Sequence, residues 1–280
     1  SRPLEINVLA GMWRNIREIR RDRPLFLCIQ GSVYFWFLGA LFQLNLTDYA
    51  PEMMGIRNEI HTGLLLTAVA VGIGAGSVLA GYWSEERVEF GLVPLGAAGL
   101  GLLGIASAFS YRSVTLTVVV LVLLGVSAGL YNIPLTSYVQ QKSPSDSKGR
   151  ILATTNFLTF IGILLASPFL WFLRTYVGLD PAAVFLLSGL ASLVVLVYIC
   201  ALVPDFLLRF LIWLATHTLY RVRTVGRPNL PTRGGALLIC NHVSYIDGFL
   251  VQACTQRFIR FFMVRQFYDI RALRPFCKIL

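Results

Sequence analysis

Two residues five apart near the C-terminal end, His242 and Asp247, are the pair in this sequence best suited to chemistry. They stand in the run Asn241-His242-Val243-Ser244-Tyr245-Ile246-Asp247-Gly248. An aspartate that accepts from one imidazole nitrogen leaves the other free to take a proton from an alcohol. General-base activation of a substrate hydroxyl is the chemistry this suits. Spacing alone carries little weight, because a capped, structural histidine has the same signature. A metal is not expected, since one histidine and one carboxylate converge where zinc takes three or four protein ligands. Cys28, Cys200, Cys240, Cys254 and Cys277 show no CxxC or zinc-ligand spacing and are expected to be reduced and unpaired.

On one continuous helix a spacing of five would turn the two side chains about 140° apart. They meet only if His242 lies in a loop and Asp247 near the start of a helix. The flanking residues predict that arrangement. Gly235–Cys240 reads as a short buried strand, Phe249–Cys254 as a helix and Phe258–Val264 as a second strand. Strand, loop, helix, strand opens an α/β domain. Ahead of it, Arg221–Arg233 is a basic, proline-punctuated linker, and Asp205–Tyr220 is an apolar stretch carrying Arg209 and His217. That stretch is expected to be a helix in or near the membrane interface, with His217 an interfacial residue of no chemical task.

Asn-His-x-Ser-x-x-Asp-Gly behind an apolar strand resembles the first motif of the glycerophospholipid acyltransferase family, of the lysophosphatidate acyltransferase type. The resemblance implies that His242 is the base that deprotonates the acceptor lipid's hydroxyl and that Asp247 orients it. Asn241, Ser244 and Gly248 support the motif, with Ser244 structural rather than a covalent nucleophile. No cofactor is expected to be bound; the resemblance implies an acyl thioester on coenzyme A or acyl carrier protein as co-substrate. It covers about residues 204–280. The family's later Phe-Pro-Glu-Gly-Thr-Arg block does not occur, so this stretch by itself is expected to be inactive. The abrupt ends, without initiator methionine or signal peptide, lead us to expect a fragment of a longer protein.

The elements that position this pair are membrane-borne. Of the 280 residues 56% are apolar and only 14% charged, and the mean hydropathy is +0.69. A soluble domain needs more charge to cover its surface. Six runs are long enough to cross a hydrocarbon core of about 30 Å: Leu25–Leu46, Gly63–Tyr82, Leu92–Phe109, Val114–Val139, Ile151–Leu173 and Pro181–Val203. A net charge of +10 could indicate nucleic acid, but its distribution excludes that reading. With residues 1–24 cytoplasmic, Arg2, Arg14, Arg17, Arg20, Arg21, Arg23, Arg87, Lys142, Lys148 and Arg150 fall inside together with the basic tail. Only Arg57, Arg112 and Arg174 fall outside, the asymmetry of the positive-inside rule. Six spans return the chain to the cytoplasm, so both its ends are expected there.

Within residues 1–24, Leu9, Met12, Ile16 and Ile19 recur at helical spacing with Arg14, Arg17 and Arg21 on another face. This is either a helix on the inner membrane surface or a basic linker that fixes topology. Gly72 and Gly76, Gly125 and Gly129, and the cluster Gly96, Gly99, Gly101 and Gly104 are expected to let helices approach closely. Gln30, Gln43, Asn45, Asn132, Thr136, Asn156 and Thr159 lie within spans. An amide in hydrocarbon needs a partner, so these residues line a cavity or bond between helices. Gln30, Asn132 and Asn156 are the candidates for a transport cavity.

The hairpin Gly76-Ser77-Val78-Leu79-Ala80-Gly81-Tyr82-Trp83-Ser84-Glu85-Glu86-Arg87-Val88-Glu89-Phe90-Gly91 resembles a loop of the major facilitator superfamily, although that loop's Asp-Arg and Gly-Arg-Arg elements have no counterpart. Six spans entered from a basic cytoplasmic segment fit the second half of that twelve-helix fold. The expected organisation is a segment 1–24, a six-helix transporter half 25–203 and the start of an acyltransferase domain 204–280. The fold class is an all-α membrane bundle followed by an α/β domain. Together the resemblances imply a bacterial inner-membrane arrangement in which a lysophospholipid transporter is fused to an acylglycerophosphoethanolamine acyltransferase. Its partners would be membrane lysophospholipid and an acyl donor, with no nucleic acid. Two alternatives stand beside it: spans that only anchor the enzyme, and spans that export other small molecules.

Overall fold

The computed structural model of the protein describes residues 8–84, 88–202 and 204–219, and beyond them 222, 224–226, 229–231, 234–244, 246–255, 257, 259–262, 264, 265 and 269. Arg2, Arg87, Tyr245, Phe258 and Cys277 of the sequence reading lie outside these residues, as does the side chain of His217. Nine helices form among the described residues: α1 (Val8–Ile19), α2 (Arg23–Met53), α3 (Glu59–Ser84), α4 (Leu92–Ser110), α5 (Val114–Lys142), α6 (Lys148–Thr175), α7 (Pro181–Leu202), α8 (Pro204–Leu219) and α9 (Asp247–Ala253). The chain divides into two compact units, Ser1–Tyr198 and Ile199–Leu280.

In the first unit α2 to α7 are the six expected spans, each long and apolar enough to cross a membrane. The shortest, α4, has 19 residues, which at about 1.5 Å per residue just matches a hydrocarbon core of about 30 Å. Several spans start where their sequence offers a side-chain partner for free amides. Asp22 accepts from the Leu25 amide at 3.1 Å, with Pro24 in the first turn of α2. Ser113 accepts from Leu116 at 3.3 Å and Asp180 from Ala183 at 2.7 Å. These caps satisfy donors that hydrocarbon would leave bare.

Lipid tails are as apolar as leucine, so close contact, not hydrophobic drive, holds such a bundle together. The glycines supply it. A Cβ on Gly72 or Gly76 of α3 would run into the backbone of Val122 or Val126 of α5. One on Gly125 or Gly129 would strike Val69 or Ser77 of α3. Gly96 lies against Tyr131 of α5 and Gly104 against Gly189 of α7, so α4 sits between those two helices. Around α2 the packing is by side chains: Leu41 joins Ala166, Leu170, Leu173 and Val184, and the Phe185 ring meets Phe42 and Tyr49 edge-on at 5.2 and 5.1 Å. Some hydroxyls within the spans return to their own helix, as Ser32 does to Cys28 at 3.0 Å, while others cross between helices, as Tyr49 does from α2 to the Ser107 carbonyl of α4.

Residues 8–19 are helical. α1 rests on α6 through Asn15, which donates to Thr154 at 3.3 Å, and through Glu18, 4.0 Å from Arg150.

In the second unit α8 is the expected helix after Pro204. The strand expected at Gly235–Cys240 does not form: residues 235–243 carry no regular structure, and no strand occurs among the described residues. A strand exists only as one side of a ladder, and no described segment pairs with this one. Its apolar side chains stand open, Leu237 at 73% and Ile239 at 87% exposure.

Candidate functional site

The loop before α9 is organised by one carboxylate. Asp247 opens the helix, and its Oδ2 accepts from the backbone amides of Val243 and Ser244 at 2.6 and 2.7 Å. The Asp247 amide in turn donates to the Ser244 carbonyl at 3.1 Å, which closes the turn. The same Oδ2 lies 3.1 Å from Nδ1 of His242. The two side chains singled out by their spacing are therefore in contact, with His242 in the loop and Asp247 at the helix start. The Ser244 amide first, then that of Val243, holds the Asp247 carboxyl below the usual carboxylate range; desolvation opposes them, and His242 adds to the lowering.

An ionised carboxylate only accepts, so Nδ1 carries the proton and Nε2 keeps its lone pair. His242 is 73% exposed against 22% for Asp247. Asp247 is thus the sheltered staple, and the imidazole presents Nε2 outward with no partner among the described residues. Ser244 accepts weakly through Oγ from the Ile246 amide at 3.5 Å and makes no bond to the imidazole, so no serine–histidine nucleophile is assembled. Gly248 lies under the Phe261 ring, where an added Cβ would stand 3.7 Å from it. Asn241 is exposed. No group of three or more His, Cys, Asp or Glu able to hold a metal occurs among the described residues.

Sequence reasoning passed over Gln252. It is completely buried, donates from Nε2 to the Arg257 carbonyl at 2.9 Å and accepts at Oε1 from the Ile259 amide at 2.8 Å. The Arg257 guanidinium donates to the carbonyls of Pro231 and Gly234. Together they tie α9 to the segments on both sides of it. The available signal was one amide in the apolar run Phe249–Cys254.

The polar residues of the spans divide. Asn45 is an interhelical link: buried, it donates from Nδ2 to the Pro181 carbonyl at 2.9 Å. The Oδ1 atoms of Asn45 and Asn132 are both buried without a partner. Tyr131, the neighbour of Asn132, donates to the Gly31 carbonyl at 3.3 Å, which brings α5 against α2 at the level of Gln30. Gln30 and Asn156 are exposed on α2 and α6. Thr136 and Thr159 donate within their own helices to the carbonyls of Asn132 and Asn156.

Comparison with known proteins separates the same two regions. The Major Facilitator Superfamily family model matches residues 3–167, and the Acyltransferase family model matches residues 221–280. The lysophospholipid transporter LplT of Klebsiella pneumoniae (strain 342) is 29% identical over 171 residues, 60% of this chain and 42% of the relative. That of Photorhabdus laumondii is 26% identical over 136 residues, 48% of this chain and 34% of the relative. The chain thus spans less than half the length of the curated relatives it matches. No solved structure matches it.

Proposed function

Because the chain belongs to the Major Facilitator Superfamily and carries a segment matched by the Acyltransferase family behind its spans, we propose that the protein brings lysophospholipid inward across the membrane and re-acylates it. What supports the enzymatic half most directly is the imidazole of His242, held by Asp247 at Nδ1 and open at Nε2. In the proposed reaction Nε2 takes the proton of a lysolipid hydroxyl as the oxygen attacks the carbonyl of an acyl thioester. The new ester C–O bond forms, the C–S bond breaks, and the imidazolium returns its proton to the departing thiolate. Asp247 keeps the tautomer and balances the transient positive charge. The acyl donor is an acyl thioester of coenzyme A or of acyl carrier protein.

The transport half rests on six helices able to span a membrane and on similarity to lysophospholipid transporters. Gln30, Asn132 and Asn156 are the proposed cavity contacts; the unpartnered Oδ1 of Asn132 suits a headgroup donor. The basic inner segments orient both ends of the chain to the cytoplasm of a bacterial inner membrane, so the enzyme would act on lipid delivered to its own side. Residues 1–24, 25–203 and 204–280 are the proposed working divisions.

The test is one assay with two readouts. In the complete protein, His242→Ala should lower acyl transfer by about 10²–10⁴-fold, the usual contribution of a general base, while lysolipid still enters vesicles. Near-normal turnover would remove His242 as the base. A wild-type protein that acylates but never takes up lysolipid would reduce the spans to an anchor.

A further inference from the structure

We infer that the outer ends of α2 and α3 form a capture site for a zwitterionic lysolipid headgroup, with its phosphate on Arg57 and its ammonium on Glu59. This rests on the transport reading above and adds to it a place of entry and a basis for choosing among headgroups. A cleft of about 320 Å³ opens there, lined by Arg57 and Glu59, by Thr47 and Thr62, and by the apolar residues Ile56 and Leu66. That volume is at the low end of the roughly 300–1,000 Å³ of ligand pockets, room for a headgroup rather than a whole lipid.

The turn between the helices is built rigidly. Gly55 takes a left-handed conformation at φ 70, open to glycine without strain, and the Ile56 amide donates back to the Ala50 carbonyl at 2.9 Å. Asn58 then accepts from the Ile60 amide at 2.8 Å and starts α3. Arg57 and Glu59 flank that asparagine, so one short turn fixes a cation and an anion two residues apart. Neither belongs to an ion pair among the described residues. The contrast with the neighbouring charge is informative: Glu52, at the end of α2, is matched by Arg174 at 2.6 Å. Arg57 is one of only three basic residues assigned to the outer face by the charge asymmetry.

One ligand answers all of these features. A phosphate takes a guanidinium with two parallel hydrogen bonds. An ammonium takes the carboxylate, and can donate to Thr47, whose hydroxyl proton is spent on the Leu44 carbonyl at 2.6 Å. The apolar wall takes the start of the acyl chain. A free phosphate or an anionic headgroup would meet Glu59 as a like charge.

The test uses the complete protein in nanodiscs, with radiolabelled 1-acyl lysophosphatidylethanolamine and lysophosphatidylglycerol as probes. Arg57→Gln should weaken both by about tenfold, the value of one charge-assisted hydrogen bond. Glu59→Gln should weaken only the ethanolamine form, again by about tenfold, and leave the glycerol form bound at least as well. The second probe guards against misfolding, which would lose both, and Glu59→Asp should restore part of the discrimination. Glycerophosphoethanolamine, which has no acyl chain, should bind more weakly than the lysolipid. Equal effects of Glu59→Gln on both probes, no effect of either substitution, equal binding of the chain-free compound, or no binding by the wild type would each overturn the site. If the expected pattern appears while intact cells take up no lysolipid, the capture site stands and the transport reading falls.

Discussion

Asp247 performs two tasks with one oxygen. Its Oδ2 closes the turn through the Val243 and Ser244 amides and meets the His242 imidazole, so orientation of the base is a by-product of how the loop folds. Both amides favour the charged form, and the carboxyl is depressed accordingly. The sign follows: the contribution of the carboxylate is complete above the ordinary range near ~4 and is lost only as pH falls through its lowered value. Asp247→Asn keeps the shape and removes the charge. We expect it to lower acyl transfer by at least about tenfold, within the usual span of acid–base effects, with lipid binding retained. A pH–rate profile of acyl transfer checks the linkage: loss of activity on acidification to pH 5 traced to protonation of Asp247 would contradict its depressed state. Gln252 is the complement at this scale, a residue that touches no reacting atom and yet anchors the short helix that carries Asp247.

Among the elements, the pairing of α3 with α5 shows what the glycines do and which of them matter. Gly74 and Gly76 lie two apart on one helix, yet a Cβ on Gly74 meets nothing and one on Gly76 meets the Val126 backbone. Gly76→Ala should therefore destabilise by about 1–3 kcal/mol, the cost of overpacking. Gly74→Ala should be neutral or stabilise by up to about 1 kcal/mol through helix propensity. Thermal unfolding of the detergent-solubilised complete protein compares them, and equal midpoints would show that the seam is not closed at Gly76. The small-residue spacing was plain in the sequence; its direction was not, because Gly72 and Gly76 share one face while Gly74 lies on another, and only the packing says which face has a neighbour. The segment 235–240 shows the opposite case. Its apolar run reads as a strand, but a strand takes its stability from the strand beside it, and no described segment stands there.

At the scale of the whole molecule, the proposed orientation rests on the basic residues of the short segments assigned to the inside, and Cys240 offers a way to read it. This thiol is exposed, whereas Cys28 is buried within α2. A membrane-impermeant maleimide should label Cys240 in inverted vesicles and leave it unlabelled in intact spheroplasts, with the signal removed by Cys240→Ser. Labelling from outside would place the acyltransferase segment on the wrong side for the proposed reaction. The Major Facilitator Superfamily match at residues 3–167 and the acyltransferase match at residues 221–280 follow the same order along the chain as the change from span to loop composition.

What the sequence determined by itself was the membrane-spanning part of the chain, which depends on local composition and period. Six spans, the charge asymmetry and the helix after Pro204 follow from runs of apolar residues and their polar breaks, because backbone groups in hydrocarbon have to be satisfied within the helix; the first span nonetheless runs on past Leu46 to Met53. The tertiary structure decided the relations between segments. It placed the Asn45 amide on the Pro181 carbonyl and left the buried side-chain oxygens of Asn45 and Asn132 unpaired, which two asparagines in apolar helices cannot announce. It also brought Arg57 and Glu59 to one cleft with Leu66 and turned Nε2 of His242 outward. Contacts of that kind depend on which faces meet across helices, and no residue's own neighbours in the chain record that.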